Sequence, residues 1–377
     1  MTISEIRSHF PFLETGNIYL NHAAVSPLSD YVTGEITSYL VGRSAGKVGM
    51  FEEMLETTHD LRGMMAEFLS TRPERIGFGR NTSEAISLVA SGLSWRTGDE
   101  VLLNDVEFPA NVYPWLNQKR HGVEVKFLPT VNGAVTADMI EDAMTPKTRV
   151  VALSFVQFLS GYRADLAAIG ALCRENNALL IVDGIQGLGP LRIDVSNTPV
   201  DFIGAGVQKW MMGPLGVAVF YITEELQERL HPAYAGWLSV RHPFEFFNYS
   251  QELRDTAARF EYGTPAALGL FGFRGALRFF RDAGYDNIGS MVRDNVRRIF
   301  SRLEKCDLEI ITPRDENHRA GIVTFSHPRA EEIFLDLQKR GIIVSHRSGH
   351  VRMAPHFYNT PDEIDRACDV IEELTAG

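Results

Sequence analysis

Cysteine is scarce: the 377 residues hold three, Cys173, Cys306 and Cys368, widely scattered. That number and spacing support neither a disulfide framework nor a cysteine-based metal site, so three reduced thiols and no metal are expected. No stretch approaches the roughly 20 apolar residues a membrane helix needs. The opening segment, MTISEIRSHFPFLETG, has no basic start followed by an apolar run. No secretory signal is therefore expected, and a cytoplasmic location without membrane contact follows. Positive charge is short too. Lys and Arg number 37 against 48 Asp and Glu, for a formal net charge of -11 and a pI near 5.5. Such a balance offers no basic face for nucleic acid. An anionic ligand must be held by local donors against the overall field.

What is present is ordinary for a globular chain: 45% hydrophobic and 23% charged residues, over a length that allows two domains. Short apolar runs alternate with amphipathic segments from about Phe78 to Ile222. Strands are expected at Val101–Asn104, Val123–Pro129, Val150–Phe155, Ala178–Asp183, Phe202–Gly206 and Val217–Tyr221. Most are apolar at nearly every position, as in strands covered on both faces. With helices such as Leu166–Asn176 between them, the pattern predicts a mainly parallel α/β sheet.

After Gly263 the pattern changes. Helices are expected at Ala266–Ala283 and Asn287–Glu304, broken at Gly284, then a strand at Ile322–Ser326 and a helix at Ala330–Arg340. A strand at Ile342–Ser345 and a last helix, Pro361–Thr375, complete a smaller α/β unit. The expected division is a large domain, 15–262, and a small domain, 263–377 together with 1–14.

Three features carry chemistry. Asp183 ends a fully apolar strand, where open α/β sheets place ligands. A carboxylate there is desolvated and needs a cation or several donors; taken alone it reads equally as a cap for the next segment. Lys209 follows another apolar strand and is flanked by Trp210, Met211 and Met212. Apolar company lowers a lysine's pKa, which a Schiff-base nucleophile requires; taken alone it reads as a lysine snorkelling to solvent. Asn81 can cap a helix over Thr82–Leu93, with Glu84 closing a capping box, and the Thr82 and Ser83 hydroxyls beside its free N–H groups could cradle a phosphate. A plainly capped helix is the simpler use. A lysine for an imine, a carboxylate for a pyridine nitrogen and a phosphate cradle together meet the needs of pyridoxal-5′-phosphate (PLP).

In these residues the chain resembles the class V aminotransferases, type I PLP enzymes that include cysteine desulfurases, selenocysteine lyase, kynureninase and isopenicillin N epimerase-like proteins. The resemblance runs from about Ile18 to Glu373. It places Asn21 and His22, in Tyr-Leu-Asn-His-Ala-Ala, on the substrate side, and Asn81–Ile86 at the phosphate helix. Phe108, in Glu-Phe-Pro-Ala-Asn, falls on the ring that stacks over the cofactor. In Asp183-Gly-Ile-Gln186 it implies that Asp183 pairs with the pyridine nitrogen and Gln186 reaches the phenolic oxygen. Thr264, in Gly-Thr-Pro, would contact the phosphate bound by a second subunit, which implies a homodimer with shared sites. Arg352 would clamp the substrate carboxylate.

Two departures bear on function. Desulfurases carry Ser/Thr-x-His-Lys at the Schiff-base turn, and here the run is Gly206-Val207-Gln208-Lys209. Gln208 could offer an amide hydrogen to the phosphate but cannot act as an imidazolium acid. Desulfurases also carry a cysteine in the loop before the clamp arginine, and here Ser345–Val351 is short and has none. The expected activity is thus aminotransfer or C–S β-elimination on a small amino acid, without persulfide transfer. Epimerisation or deamination is the alternative among enzymes, and a non-catalytic PLP-binding protein the alternative outside them. His346 and Arg347 are further substrate-side candidates, and the resemblance makes Tyr162-Arg163-Ala164-Asp165 and Trp237 pocket candidates.

Overall fold

The computed structural model describes residues 1–375. Its central sheet has seven strands. Across the sheet they run Ile76–Gly79, Ala218–Ile222, Phe202–Gly206, Leu179–Asp183, Thr148–Ser154, Glu100–Asn104 and Glu124–Leu128. Ala218–Ile222 is antiparallel to both of its neighbours and every other pairing is parallel. The fold is α/β, built on a mostly parallel sheet as expected. Ile76–Gly79 was not anticipated as a strand, because two of its four residues are glycine.

Strand alternation explains the unbroken apolar runs. Leu179 and Ile181 enter one core with Ile86 and Val89 of the helix Thr82–Gly92. Leu180 and Val182 enter the other, with Ile169 and Phe273. All four strand residues are buried, each contributing about 1.5–3 kcal/mol. At the sheet's carboxyl edge Ser154 lies opposite Asp183 and Asp183 opposite Gly204.

The C-terminal part holds the helices Ala267–Ala283 and Tyr285–Leu303, divided at Gly284 with φ +84°. An antiparallel sheet follows in the order Ser345–Arg347, His350–Met353, Val323–Ser326, Glu309–Ile310. Two expectations need correction. Ile342–Ser345 is not one strand: Ile342–Ile343 pairs in parallel with Ile18–Tyr19, and Ser345 starts a strand of the other sheet. Ser345–Val351 is not a loop but a tight hairpin, turned at Ser348 and Gly349 with φ +50° and +82°. Positive φ at both central residues is the type I′ geometry that matches strand twist. Its polar sequence hid the strands, since pairing and not apolar alternation defines them. The pairing of Ile18–Tyr19 also carries N-terminal attachment to the C-terminal part beyond residue 14. Among the described residues no helix is long and apolar enough to cross a membrane.

Candidate active site

Asp183 and Lys209 come together at the carboxyl edge. Asp183 is almost wholly buried; its Oδ1 accepts the Ile185 N–H at 2.9 Å, and its Oδ2 is buried with no partner. Burial pushes this carboxyl up to about 7, helped by the nearby Glu107 and opposed by Lys209. Burial brings the Lys209 ammonium down to about 8, Asp183 opposing, with Arg352 and Arg347 adding to the fall. The Lys209 Nζ lies 5.5 Å from the centroid of the Phe108 ring, and Phe158 braces that ring edge-on at 5.3 Å.

The backbone that presents Lys209 is tied down on both sides. The Gln208 carbonyl accepts the Ser26 N–H at 2.9 Å, and the Lys209 carbonyl accepts the Ser26 hydroxyl at 2.6 Å. The Trp210 carbonyl meets Nε2 of His356 at 3.0 Å. His356 Nδ1 accepts the Phe357 N–H, so Nε2 must carry the proton and donate. Full burial keeps this ring neutral, lowering it to about 3. Ser26 and His356 escaped the sequence reading because neither stands near Lys209 in the chain.

At the start of the helix Thr82–Gly92, Asn81 caps it by accepting the Glu84 N–H at 2.9 Å. Glu84 does not close the expected box on Asn81; its carboxylate takes the Arg80 N–H and guanidinium instead. Thr82 is buried, and its Oγ1 accepts the Gly206 N–H at 3.0 Å, leaving the hydroxyl proton to donate elsewhere. Ser83 is exposed on the same first turn. A Cβ on Gly206 would lie 2.5 Å from Gln208 Oε1. The Gln208 amide therefore occupies space that a side chain at 206 would enter.

Arg352 lies 1% exposed in the hairpin. Its Nε donates to Ser345 Oγ at 3.1 Å and its Nη1 to the Phe158 carbonyl at 2.6 Å, while Nη2 is buried without a partner. Burial, with Arg347 nearby, lowers this guanidinium to about 10. Asn21 bridges to Ala354, and its Oδ1 is another buried atom lacking a partner.

Other candidates are placed differently. His22 was expected to face substrate but is fully buried. Its Nδ1 donates to the Ala354 carbonyl at 2.7 Å, and its Nε2 accepts the Tyr358 hydroxyl at 2.7 Å. With both ring nitrogens occupied it clamps the N-terminal segment to the C-terminal part. Gln186 accepts the Trp210 indole N–H at 2.8 Å and donates to the Ala23 carbonyl at 3.0 Å, which leaves one amide hydrogen. His346 stacks on Phe334, Tyr162 on His318, and Trp237 on Phe51. Thr264 lines a cavity of about 600 Å³ with Arg80, Glu84 and Tyr262; Lys209, Asp183 and Arg352 are not among the cavity's residues. Glu107 was read only as a neighbour of Phe108. It is buried beneath the site, where its carboxylate accepts from Asn104, Asn111 and both the N–H and hydroxyl of Ser154.

A family model described as "Aminotransferase class-V" matches residues 18–366, with the lysine, the aspartate and the arginine all inside the match. The chain belongs to the class V aminotransferase family. It is 28% identical over 374 residues to an uncharacterized aminotransferase of Bacillus subtilis strain 168, covering 98% of each chain. It is equally 28% identical over 401 residues to a probable cysteine desulfurase of Methanothermobacter thermautotrophicus, covering 99% of this chain and 98% of the other. Among solved structures, the cystine C–S lyase C-DES in complex with its product cysteine persulfide superposes with a TM-score of 0.88 at 25% identity, over 97% of this chain and 99% of the other.

As a member of this family the chain is a PLP-dependent enzyme. The residues fit the cofactor. The Asp183 Oδ2 is a buried acceptor with nothing to accept, as a protonated ring nitrogen requires. Lys209 has its charge weakened by burial, the Phe108 ring stands beside it, and Thr82 offers a hydroxyl proton at a helix N-terminus.

Proposed function

We propose that this enzyme acts on a small α-amino acid by aminotransfer or by C–S β-elimination, without transferring a persulfide, and that it works as a homodimer. Three unspent groups carry the proposal: the half-buried Lys209 amine and the buried Asp183 Oδ2 and Arg352 Nη2. Bound among them, PLP supplies a carbonyl that condenses with amines and a ring that draws electrons from the substrate Cα.

The chain's residues divide the remaining work. Arg352 holds the substrate carboxylate with its free Nη2 and so fixes the orientation of the Cα–H bond. Lys209, its ammonium brought down to about 8 by burial, would bind the cofactor and, once freed from it, take the Cα proton. Asp183 would keep a proton on the ring nitrogen, and the buried Glu107 carboxyl nearby helps to raise Asp183. Thr82, Ser83 and Gln208 hold the phosphate, with Thr264 of a second copy expected to complete it.

Two of the three cysteines speak against a persulfide step. Cys173 and Cys368 are buried, with burial pushing each thiol up to about 12. Such thiols are poor nucleophiles at neutral pH. The relatives' names, cysteine desulfurase and cystine C–S lyase, favour sulfur-bearing amino acids, while the Bacillus relative's favours aminotransfer. The test is a panel of amino acids given to the purified protein, with keto acid, ammonia and sulfide detected separately. Keto acid with the cofactor left as its amine supports aminotransfer, and sulfide with ammonia supports elimination. Release of neither, with cofactor bound, overturns the reading.

A further inference from the structure

The substrate end of the crevice holds more positive charge than one α-carboxylate can use. In the hairpin, Ser345 pairs with Arg352 and Arg347 with His350. Side chains alternate along a strand and cross-strand partners share a face. Ser345, Arg347, His350 and Arg352 therefore lie on one face, and His346 on the other, where it stacks on Phe334 at 5.7 Å. The Arg352 side chain fixes which face looks into the crevice, because it reaches Ser345 and the Phe158 carbonyl beside Phe108.

On that face the donors are left over. Arg352 Nη2 and His350 Nδ1 are both buried without a partner. Arg347 is exposed, and its charge is felt by both Arg352 and Lys209. Among the described residues neither arginine has a carboxylate within ion-pair distance, although arginines elsewhere in the chain are commonly paired. Two unpaired guanidiniums on neighbouring diagonal positions of a hairpin, in a protein of net charge -11, are arranged for two anionic groups.

We infer that Arg347 is a specificity-determining residue, and that the preferred substrate is an amino acid whose side chain carries a second anionic group. The α-carboxylate takes the free edge of Arg352. The side-chain anion, at the β or γ position, takes Arg347, with His350 beside it as a further donor. This rests on the proposed function, because it uses the same crevice. It goes beyond it in naming the class of side chain.

The test uses the PLP-loaded enzyme and two probes that have no amine, succinate and butyrate, so that only the carboxylate sites are read. Calorimetric titration at low salt should show succinate binding at least about 10-fold more tightly than butyrate. Arg347→Gln should bring succinate down to the level of butyrate. In turnover, the ratio of kcat/KM for aspartate or glutamate to that for alanine should fall at least about 10-fold in Arg347→Gln. His350→Asn should lower the same ratio by a smaller factor. Equal binding of the two probes by the parent enzyme, or a ratio unmoved by Arg347→Gln, overturns the inference. If neutral amino acids still react, that failure leaves the proposed function standing. If no amino acid reacts and no cofactor is held, both fall.

Discussion

The two ends of the crevice are built on opposite plans. The proposed cofactor end stands on the carboxyl edge of a sheet buried on both faces, and the proposed substrate end on a hairpin, exposed at its tip, of a second, antiparallel sheet. At the first, Lys209 is held through three consecutive carbonyls by Ser26 and His356, and Thr82 is locked to Gly206. At the second, Arg352 has one partner in its own hairpin and one outside it, and Arg347 has none among the described residues. The contrast teaches where one fold keeps its chemistry and where it varies its substrate. A frame that must hold a reactive ring tolerates little movement. A hairpin on a sheet edge can be shortened, recharged or stripped of a cysteine without disturbing that frame.

If this division is right, damage to the cofactor end should cost more than damage to the substrate end. Asp183→Ala should retain the covalent bond between Lys209 and the cofactor yet lose about 10³-fold or more in kcat, since an unprotonated ring withdraws electrons poorly. Near-normal turnover in that variant would erase the distinction between the two ends. Arg352→Lys keeps the charge but loses the fork, so kcat/KM should fall by roughly 10- to 1000-fold while the cofactor's spectrum without substrate stays the same. A spectral change would mean that Arg352 belongs to the cofactor end.

That Asp183, Lys209 and the Asn81–Glu84 turn would stand together at strand ends was legible in the sequence, and the reason is local. Asp183, Lys209 and the Asn81–Glu84 turn each sit directly after or before an apolar strand or helix, so their position in the fold follows from their position in the chain. What holds them was not legible. Ser26 and His356 reach Lys209 from opposite ends of the sequence, and Glu107 reaches the site through Ser154 on a different strand. His22 misled for the same reason: a histidine after a short strand looks available until Ala354 and Tyr358 close on it from the far terminus. The substrate end was the harder part because Ser-His-Arg-Ser-Gly-His has no apolar alternation to betray a hairpin.

A third test sharpens the comparison through stability. Burial holds Lys209 at about 8, below the ordinary lysine value, so the folded state disfavours its proton. Its stability contribution is therefore present above the unfolded value and is lost as pH falls through about 8. In the cofactor-free protein, Lys209→Met should raise stability by about 2–3 kcal/mol at pH 6, where Asp183 is protonated and offers no counter-charge. The gain should shrink towards zero as pH approaches 10.5. An unchanged midpoint of denaturant unfolding at pH 6 would show that Lys209 is not strained by its surroundings. The smallest effect is expected from sulfur. Replacing Cys173, Cys306 and Cys368 together with Ala should leave turnover within a few-fold, apart from packing losses of order 1 kcal/mol per site. A stoichiometric persulfide on any of them would move this chain towards the desulfurases.

Everything rests on which lysine carries the cofactor, and that is open to direct measurement. The PLP-loaded protein is reduced with borohydride, digested, and the modified peptide identified by mass spectrometry. The adduct should lie on Lys209, in stoichiometric amount, and should be absent from Lys209→Ala. An adduct on Lys119 or Lys147, or one that survives Lys209→Ala undiminished, would contradict the assignment of this crevice as the active site.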